Sequence, residues 1–410
     1  MTRTSIAIAG GGPAGMVLGL LLARAGVRVT VLEKHGDFLR DFRGDTVHAS
    51  TLGLLDDLGL GPAFDAIPPR YVERMRVVLP GGAATIADMR RLPGRHKRIA
   101  FVPQWDLLEL LARAGRREPT FELVMNAEVT GLLREGPKVT GVRYRTPEGE
   151  TSLGADVVVA ADGRTSRVRA EAGLAMRSFG APMDVWWFRV PVREGDDLGE
   201  VQGRFGRGEA LVAIPRVGYF QCAFLIRKGA DARLRTEGVG RFRERVAALA
   251  PALADRVGEI ASLDDVKLLA VEQNRLRTWH RDGLLCVGDA AHAMSPVGGV
   301  GINLAIQDAV AAARLLAGPA LRGAVTPDVL ARLRRRRLFA TAAVQAAQRV
   351  MQRAVMREPG ASARPARVPL PLRVAQRFPV LQGVPAYLVS IGLRPEPTPG
   401  FARRSPAPAR

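Results

Sequence analysis

Residues 4–33 read TSIAIAGGGPAGMVLGLLLARAGVRVTVLE. Residues 6–9 form an apolar run of strand length. Gly10, Gly12 and Gly15 follow in G-x-G-x-x-G spacing, residues 16–25 read as an apolar helix ending before Gly26, and residues 27–32 form a second β-branched run closed by Glu33. This is a complete βαβ dinucleotide-binding unit. Gly10 permits the tight turn, Gly12 lets the backbone approach a pyrophosphate, and Gly15 lets the helix pack close to its strand. The helix N-terminus offers free N–H groups and a positive dipole end to the phosphates. Glu33 is placed to accept from a ribose hydroxyl. Ala14 inside the loop and Lys34 just after Glu33 complete the candidate nucleotide contacts.

Outward from this unit, the 410-residue chain is long enough for two domains, and 47% hydrophobic with 24% charged residues is an ordinary globular profile. No apolar stretch suggests a membrane span once the first helix is explained by its glycine motif, and no basic region precedes an apolar signal segment. The expectation is therefore no stable membrane insertion. Cys222 and Cys286 sit inside apolar runs and read as buried thiols, which favours the cytoplasm. The formal charge of +20 comes largely from arginine spread along the chain, with local concentrations at 90–98 and 332–337. No aromatic-interleaved basic motif or zinc spacing accompanies it, so nucleic acid is not an expected partner and no metal site is expected.

Residues 52–58 and 105–114 have helical spacing, and residues 121–129, 138–145 and 156–161 read as strands, with a turn at 147–149. Residues 185–192, 209–214 and 219–227 form a second strand-rich group. Helices are expected over 240–250, 302–317 and 326–355. Residues 359–371 and 395–410 are rich in Pro, Arg and Ala and read as a linker and a disordered tail, while 374–393 is apolar enough to pack back on the core, with a membrane-surface contact as the alternative. There is no second intact G-x-G-x-x-G, which argues against a separate Rossmann domain for a nicotinamide.

Two further motifs narrow the dinucleotide. Residues 157–169 read VVVAADGRTSRVR, a buried strand ending in Asp162 and Gly163 with Ser166 and Arg169 at fixed offsets. Residues 284–308 read LLCVGDAAHAMSPVGGVGINLAIQD, a strand ending in Gly288 and Asp289, then Ala-Ala-His, Pro296, and a glycine-rich entry to a helix with Asn303. Over roughly residues 4–315 these three motifs, in this order, resemble the group A flavoprotein monooxygenases, the para-hydroxybenzoate hydroxylase-like family.

The resemblance implies an α/β fold. A Rossmann-like FAD-binding domain (1–70, 98–180 and 265–325) would carry an inserted, β-sheet-rich substrate domain (71–97 and 181–264), followed by a C-terminal helical region (326–393) and a disordered tail (394–410). It implies non-covalent FAD, with NADPH or NADH and O2 as co-substrates. Asp289 would bond the ribityl chain, and Gly298 and Gly301 would bring the next helix N-terminus to the flavin edge, which becomes negative on reduction. Ile302 and Asn303 would touch that edge. Arg43 matches the family's arginine loop and would serve both FAD and the nicotinamide. Gln104 would meet the FAD phosphate or ribose, and Asp162, Gly163 and Arg169 both dinucleotides. His48 could approach the substrate side of the flavin, while His292 reads as structural.

The implied reaction is reduction of FAD by NAD(P)H, uptake of O2 as a flavin C4a-hydroperoxide, and oxygen transfer to an aromatic or polyketide-like small molecule. Specificity would lie with the aromatic residues of the second strand group, of which strand alternation sends about half toward the flavin. Trp186, Phe188, Tyr219 and Gln221 are the candidate pocket residues. A reductase or dehydrogenase on the same fold stays open, as does a non-enzymatic flavin-binding module. A halogenase would share the FAD motifs, but its W-x-W-x-I-P element is missing.

Overall fold

A computed structural model describes residues 2–39, 46–79, 81–206, 208–356 and 368–405. Its main sheet grows from the first strand, Thr2–Ala9, which pairs in parallel with Val29–Leu32 on one side and Gly149–Ala160 on the other. Phe121–Val124 extends the sheet beyond Val29–Leu32, and Leu284–Cys286 extends it beyond Gly149–Ala160, both in parallel. Ile6, Ile8, Val29, Val31, Val158 and Val159 are fully buried, as strands covered on both faces must be. The register sets Ala9 opposite Leu32 and Ala160, so the three sequence motifs leave the sheet along one edge. In open α/β sheets, ligands bind at that carboxyl edge.

The strand expected over 121–129 is interrupted. Phe121–Val124 ends at a turn in which Asn126 has φ 52°, and Glu128–Glu135 then joins an antiparallel hairpin with Lys138–Thr146. Asparagine tolerates this left-handed conformation, so the break carries no glycine to announce it.

A second sheet has the strand order Lys267–Leu269, Met183–Pro191, Tyr219–Arg227, Glu209–Pro215, Glu200–Gly206, Arg74–Leu79, Gly82–Asp88. One face carries Trp186, Phe188, Leu211, Cys222 and Phe224 and is covered by Phe242 and Val246 of the helix Gly238–Leu249. The other face carries Val185, Ala210, Ala223 and Leu225 and packs with Val297 of the glycine-rich loop. A small three-stranded sheet, Thr46–Val47, Ile99–Phe101 and Arg70–Val72, lies between the two.

The helix Gly301–Leu321 is long and apolar enough to cross a membrane, but 78% of its apolar window is buried, so it is a core helix. Pro327–Val355 runs along it. Residues 394–405, expected to be disordered, are ordered against the core, while 406–410 lie outside the described residues. Glu396 is ion-paired with Arg314, Arg336 and Arg337, Ala402 is fully buried, and the Arg404 N–H donates to the Asp57 carbonyl at 3.0 Å. Composition reads such a tail as solvated because it counts residues and not their partners.

Candidate active site

The first motif folds as its glycines require. Gly10 has φ 103°, and a Cβ there would stand 2.5 Å from the Ala161 carbonyl oxygen. A Cβ on Gly15 would stand 2.0 Å from the Gly10 carbonyl oxygen, whereas one on Gly12 would meet nothing within 4 Å. The loop is therefore closed toward the protein at Gly10 and Gly15 and open at Gly12, the shape of a cradle for a pyrophosphate. Glu33 is buried, and its carboxylate accepts from the Gly11 N–H at 2.8 Å and the His35 N–H at 3.1 Å. These bonds fix the acid at the strand end where the ribose of an ADP group would lie. Ala14 is buried in the first helix and Lys34 is exposed. Gln104 opens the helix Gln104–Gly115 behind Pro103.

The other two motifs are bound to each other. Asp289 accepts from Arg164 Nε at 3.0 Å, and Asp162 accepts from the Val168 N–H at 3.2 Å, capping the helix Arg167–Glu171. Burial pushes the Asp162 carboxyl up, against the hydrogen bonds from Ser166 and Val168, and its Oδ1 has no partner. Gly163 takes φ 83°. Arg169 is buried, and its guanidinium donates to the Ala290 carbonyl at 3.1 Å and the Arg164 carbonyl at 2.6 Å. It is not a surface ion pair. It joins the Asp162–Gly163 turn to the Gly288–Asp289 turn.

The glycine-rich loop closes the site. Pro296 precedes a turn in which Gly298 and Gly299 have φ 82° and 64°, a geometry that only glycine adopts without strain. Gly301 then begins the long helix. Ile302 packs against the main core, and the Oδ1 of Asn303 accepts from Ser50 Oγ at 2.7 Å and Thr51 Oγ1 at 3.3 Å. Its side chain thus braces the helix Ala49–Asp57. His48, at the start of that helix, is completely buried, and neither ring nitrogen makes a well-formed hydrogen bond. Burial pushes its pKa down to about 4, with the Gly298 backbone acting in the opposite sense. His48 is therefore neutral at physiological pH and sits against the loop that would face the flavin. Arg43 lies outside the described residues.

Below the glycine loop a buried chain of charges ties the site to the C-terminus. Asp308 accepts from the Gly288 N–H at 3.2 Å, pairs with His292 Nε2 at 2.5 Å and accepts from Arg337 Nε at 2.9 Å. Arg337 Nη1 continues to Glu396 Oε1 at 3.4 Å. His292 is structural, as its motif suggested. Arg337 belongs to a run of four arginines that reads as a solvated helix face, and only the packing of that helix shows that one of the four is inside.

The second sheet corrects part of the predicted pocket. Trp186 and Phe188 point to the helix-covered face, where both meet Phe242 edge-on at 5.2 and 5.1 Å between centroids, and Trp186 Nε1 donates to Asp231 at 2.7 Å. The flavin-side face instead presents Trp187 and Phe205, which pack with Val297's cluster, and Gln221. Tyr219 shares the parity of Gln221 and lies 4.7 Å from the Arg189 guanidinium. Alternation is a period of two, so an error of one residue exchanges the whole set.

Gln221 is buried and accepts from Arg216 Nε at 3.0 Å and Nη2 at 2.6 Å. Arg216 is buried too, with its guanidinium 4.8 Å from the Phe101 ring. The indole Nε1 of Trp187 is a buried donor without a partner. Trp187 belongs to the aromatic set from which the sequence draws its pocket candidates but is not one of the four, and Arg216 is in neither group. The same alternation that named Gln221 selects Trp187, whereas Arg216 sits in a turn and carries no such signal.

The FAD binding domain family model matches residues 3–347. The chain is 35% identical over 316 residues to 6-methylpretetramide 4-monooxygenase of Streptomyces rimosus, covering 76% of this chain and 74% of that enzyme. It is 32% identical over 347 residues to the 12-dehydrotetracycline 5-monooxygenase/anhydrotetracycline 6-monooxygenase of Streptomyces rimosus subsp. rimosus, covering 80% of this chain but only 65% of the relative. Among solved structures, PqsL of Pseudomonas aeruginosa superposes with a TM-score of 0.76 at 21% identity over 87% of this chain and 97% of that one. OxyS anhydrotetracycline hydroxylase from Streptomyces rimosus gives 0.73 at 24% identity over 95% and 76%. Those two likenesses speak to fold, and they agree with the three motifs converging on one sheet edge. On the family match and the sequence identities, the chain belongs to the group A FAD-dependent flavoprotein monooxygenases.

Proposed function

We propose that this chain is an NAD(P)H-consuming monooxygenase that hydroxylates an aromatic or polyketide-like small molecule. The observation that carries the substrate class is the flavin-side face of the second sheet. There Trp187, Val212, Ile214 and Phe101 make an apolar, partly aromatic wall that surrounds a buried Arg216–Gln221 pair. A pocket of apolar walls with a few fixed polar groups suits a flat compound bearing oxygens. The unpartnered Trp187 N–H and the Arg216 guanidinium are donors suited to a phenolate or enolate. The relatives acting on pretetramide and tetracycline skeletons support the same class.

FAD fits the residues present. The open cradle at Gly12, the fixed Glu33 carboxylate and the left-handed glycine turn at 298–299 are shapes that a long dinucleotide would fill. When bound, it supplies the redox and oxygen-activating chemistry. Gly10, Gly12, Ala14, Gly15, Glu33, Lys34 and Gln104 would hold its ADP half. Asp289, released from Arg164, would hold its centre. Pro296, Gly298 and Gly301 would set its ring edge against the helix N-terminus, whose dipole favours negative charge there. Arg169 positions both turns, and the neutral His48 fills the wall behind Gly298 and excludes water. Arg43 would meet the nicotinamide. Cys222 and Cys286 are buried and free, as a cytoplasmic enzyme allows.

The test is oxidation of NADPH and of NADH by FAD-loaded protein, with and without a panel of polycyclic phenols. Oxygen-18 gas then reports the source of the product oxygen. A phenol that accelerates nicotinamide oxidation and gains label from O2 is expected. Acceleration without oxygen incorporation would identify a reductase instead.

A further inference from the structure

The helix Gly383–Ser390 is apolar on two sides. Inward, Ala386 is fully buried, and Tyr387 and Val389 pack with Phe101, Val201, Val212 and Ile214, several of which wall the proposed pocket. Val389 also meets the cluster of Met294, Val300 and Leu304 around the glycine loop. Outward, Val384 and Leu388 are exposed, and the exposed apolar surface continues backward through Leu381, Val380, Phe378, Val374 and Leu370. Leu370, Phe378 and Val380 are 67%, 58% and 69% exposed.

The positions 370, 374 and 378 recur at helical spacing, as do 381, 384 and 388, so each set forms a stripe. Scattered apolar side chains on a surface need no explanation, but seven large ones within 19 residues mark a site of contact.

Charge selects the partner. Arg373 and Arg377 stand exposed on the helix Leu370–Arg377, and residues 368–395 contain no Asp or Glu. The whole chain carries +20. A second copy seated on this face by a two-fold axis would bring the same arginines, and two strongly cationic bodies, together. An anionic bilayer satisfies both features. Apolar side chains enter the boundary between headgroups and acyl chains, and the arginines meet the headgroups.

We propose that the outer face of residues 370–388 docks on the surface of an anionic lipid bilayer. This lays the helix packed behind the pocket wall between the lipid and the site, an arrangement suited to an apolar substrate dissolved in lipid. The docking does not depend on the substrate assignment. Vesicle binding can succeed where the turnover assay fails, and the reverse.

The experiment is co-sedimentation of the full-length, FAD-loaded protein with phosphatidylcholine vesicles, with and without phosphatidylglycerol, over a salt series. Binding to the anionic vesicles is expected, and it should weaken as salt rises. The double substitution Phe378→Glu with Val380→Glu should lower that binding by at least about tenfold, since it replaces two insertable side chains by charges. Its flavin absorbance and basal nicotinamide oxidation should stay unchanged, because neither residue touches the pocket wall. Arg373→Gln with Arg377→Gln should remove most of the preference for anionic lipid. The proposal falls if the protein sediments with neither vesicle, or if the Glu variant binds as well as the parent. It also falls if the parent is a dimer that this variant dissociates, which would assign the face to a second copy.

Discussion

Replacing Arg337 by methionine tests the buried charge chain under the flavin site. The substitution keeps an unbranched side chain in the helix and removes only the guanidinium. That guanidinium gives Nε to Asp308 at 2.9 Å, Nη1 to Glu396 at 3.4 Å and to the Arg394 carbonyl at 3.1 Å, and Nη2 to Gln307 at 3.3 Å. The Asp308, Arg337 and Glu396 side chains are at most 1% exposed. Glu396 would keep Arg314 and Arg336, and Asp308 would keep His292 and the Gly288 N–H. Losing one partner of a buried pair costs about 3–5 kcal/mol, and the remaining partners place this case near 3 kcal/mol.

The pH dependence has a definite sign. Burial pushes the Asp308 carboxyl up, and His292 and Arg337 more than offset it, leaving it below the ordinary range. A depressed carboxyl contributes stability above its unfolded pKa and loses it as pH falls through the folded one. Without Arg337 the carboxyl rises, so the penalty should be largest near neutrality and shrink as pH falls into and below the ordinary carboxylate range. Urea unfolding, followed by tryptophan fluorescence and by flavin release, measures it. Trp279 is well placed as a reporter, with its ring 5.0 Å from that of His292. A loss under about 1 kcal/mol at neutral pH, or a penalty that grows on acidification, would refute the reasoning.

Three further outcomes follow from the site. Glu33→Ala should weaken FAD binding by roughly one to two orders of magnitude, from loss of a charged acceptor worth about 1.5–3 kcal/mol; an unchanged dissociation constant would remove Glu33 from the ribose. His48→Gln should blunt acid sensitivity. The native ring has a folded pKa near 4 against 6.5 unfolded. The stability it gives is full above the unfolded value, and roughly 3 kcal/mol is lost as pH falls toward the folded one. Parallel unfolding series at several pH values would show this, and identical pH profiles would count against it. Arg43→Ala should slow anaerobic reduction of the flavin by NAD(P)H more than it loosens FAD, with partial rescue by lysine, which lacks the planar fork of donors; equal stopped-flow rates would make it a loop residue only.

The local motifs were decided by sequence because their chemistry is local. A strand, three glycines at fixed offsets, a helix and an acid specify a βαβ unit wherever they occur, since each glycine answers a steric demand of its own turn, as the 2.5 Å and 2.0 Å approaches at Gly10 and Gly15 record. The motifs at Asp162 and Asp289 are of the same kind, and so is the glycine turn at 298–299. What depended on through-space partners was not legible. Arg169 matched a cofactor motif, and packing aimed it at two carbonyls. Arg337 looked like one of four surface arginines, and the packing of two helices made it the cation between buried carboxylates. The tail's composition predicted disorder, and three arginines from two helices ordered Glu396. Trp186 and Trp187 are neighbours of the same type, and only the strand register settles which one faces the site. Sequence carries the period of a strand, but its phase relative to the rest of the molecule is set by which other surface must be buried, and that is decided by tertiary structure.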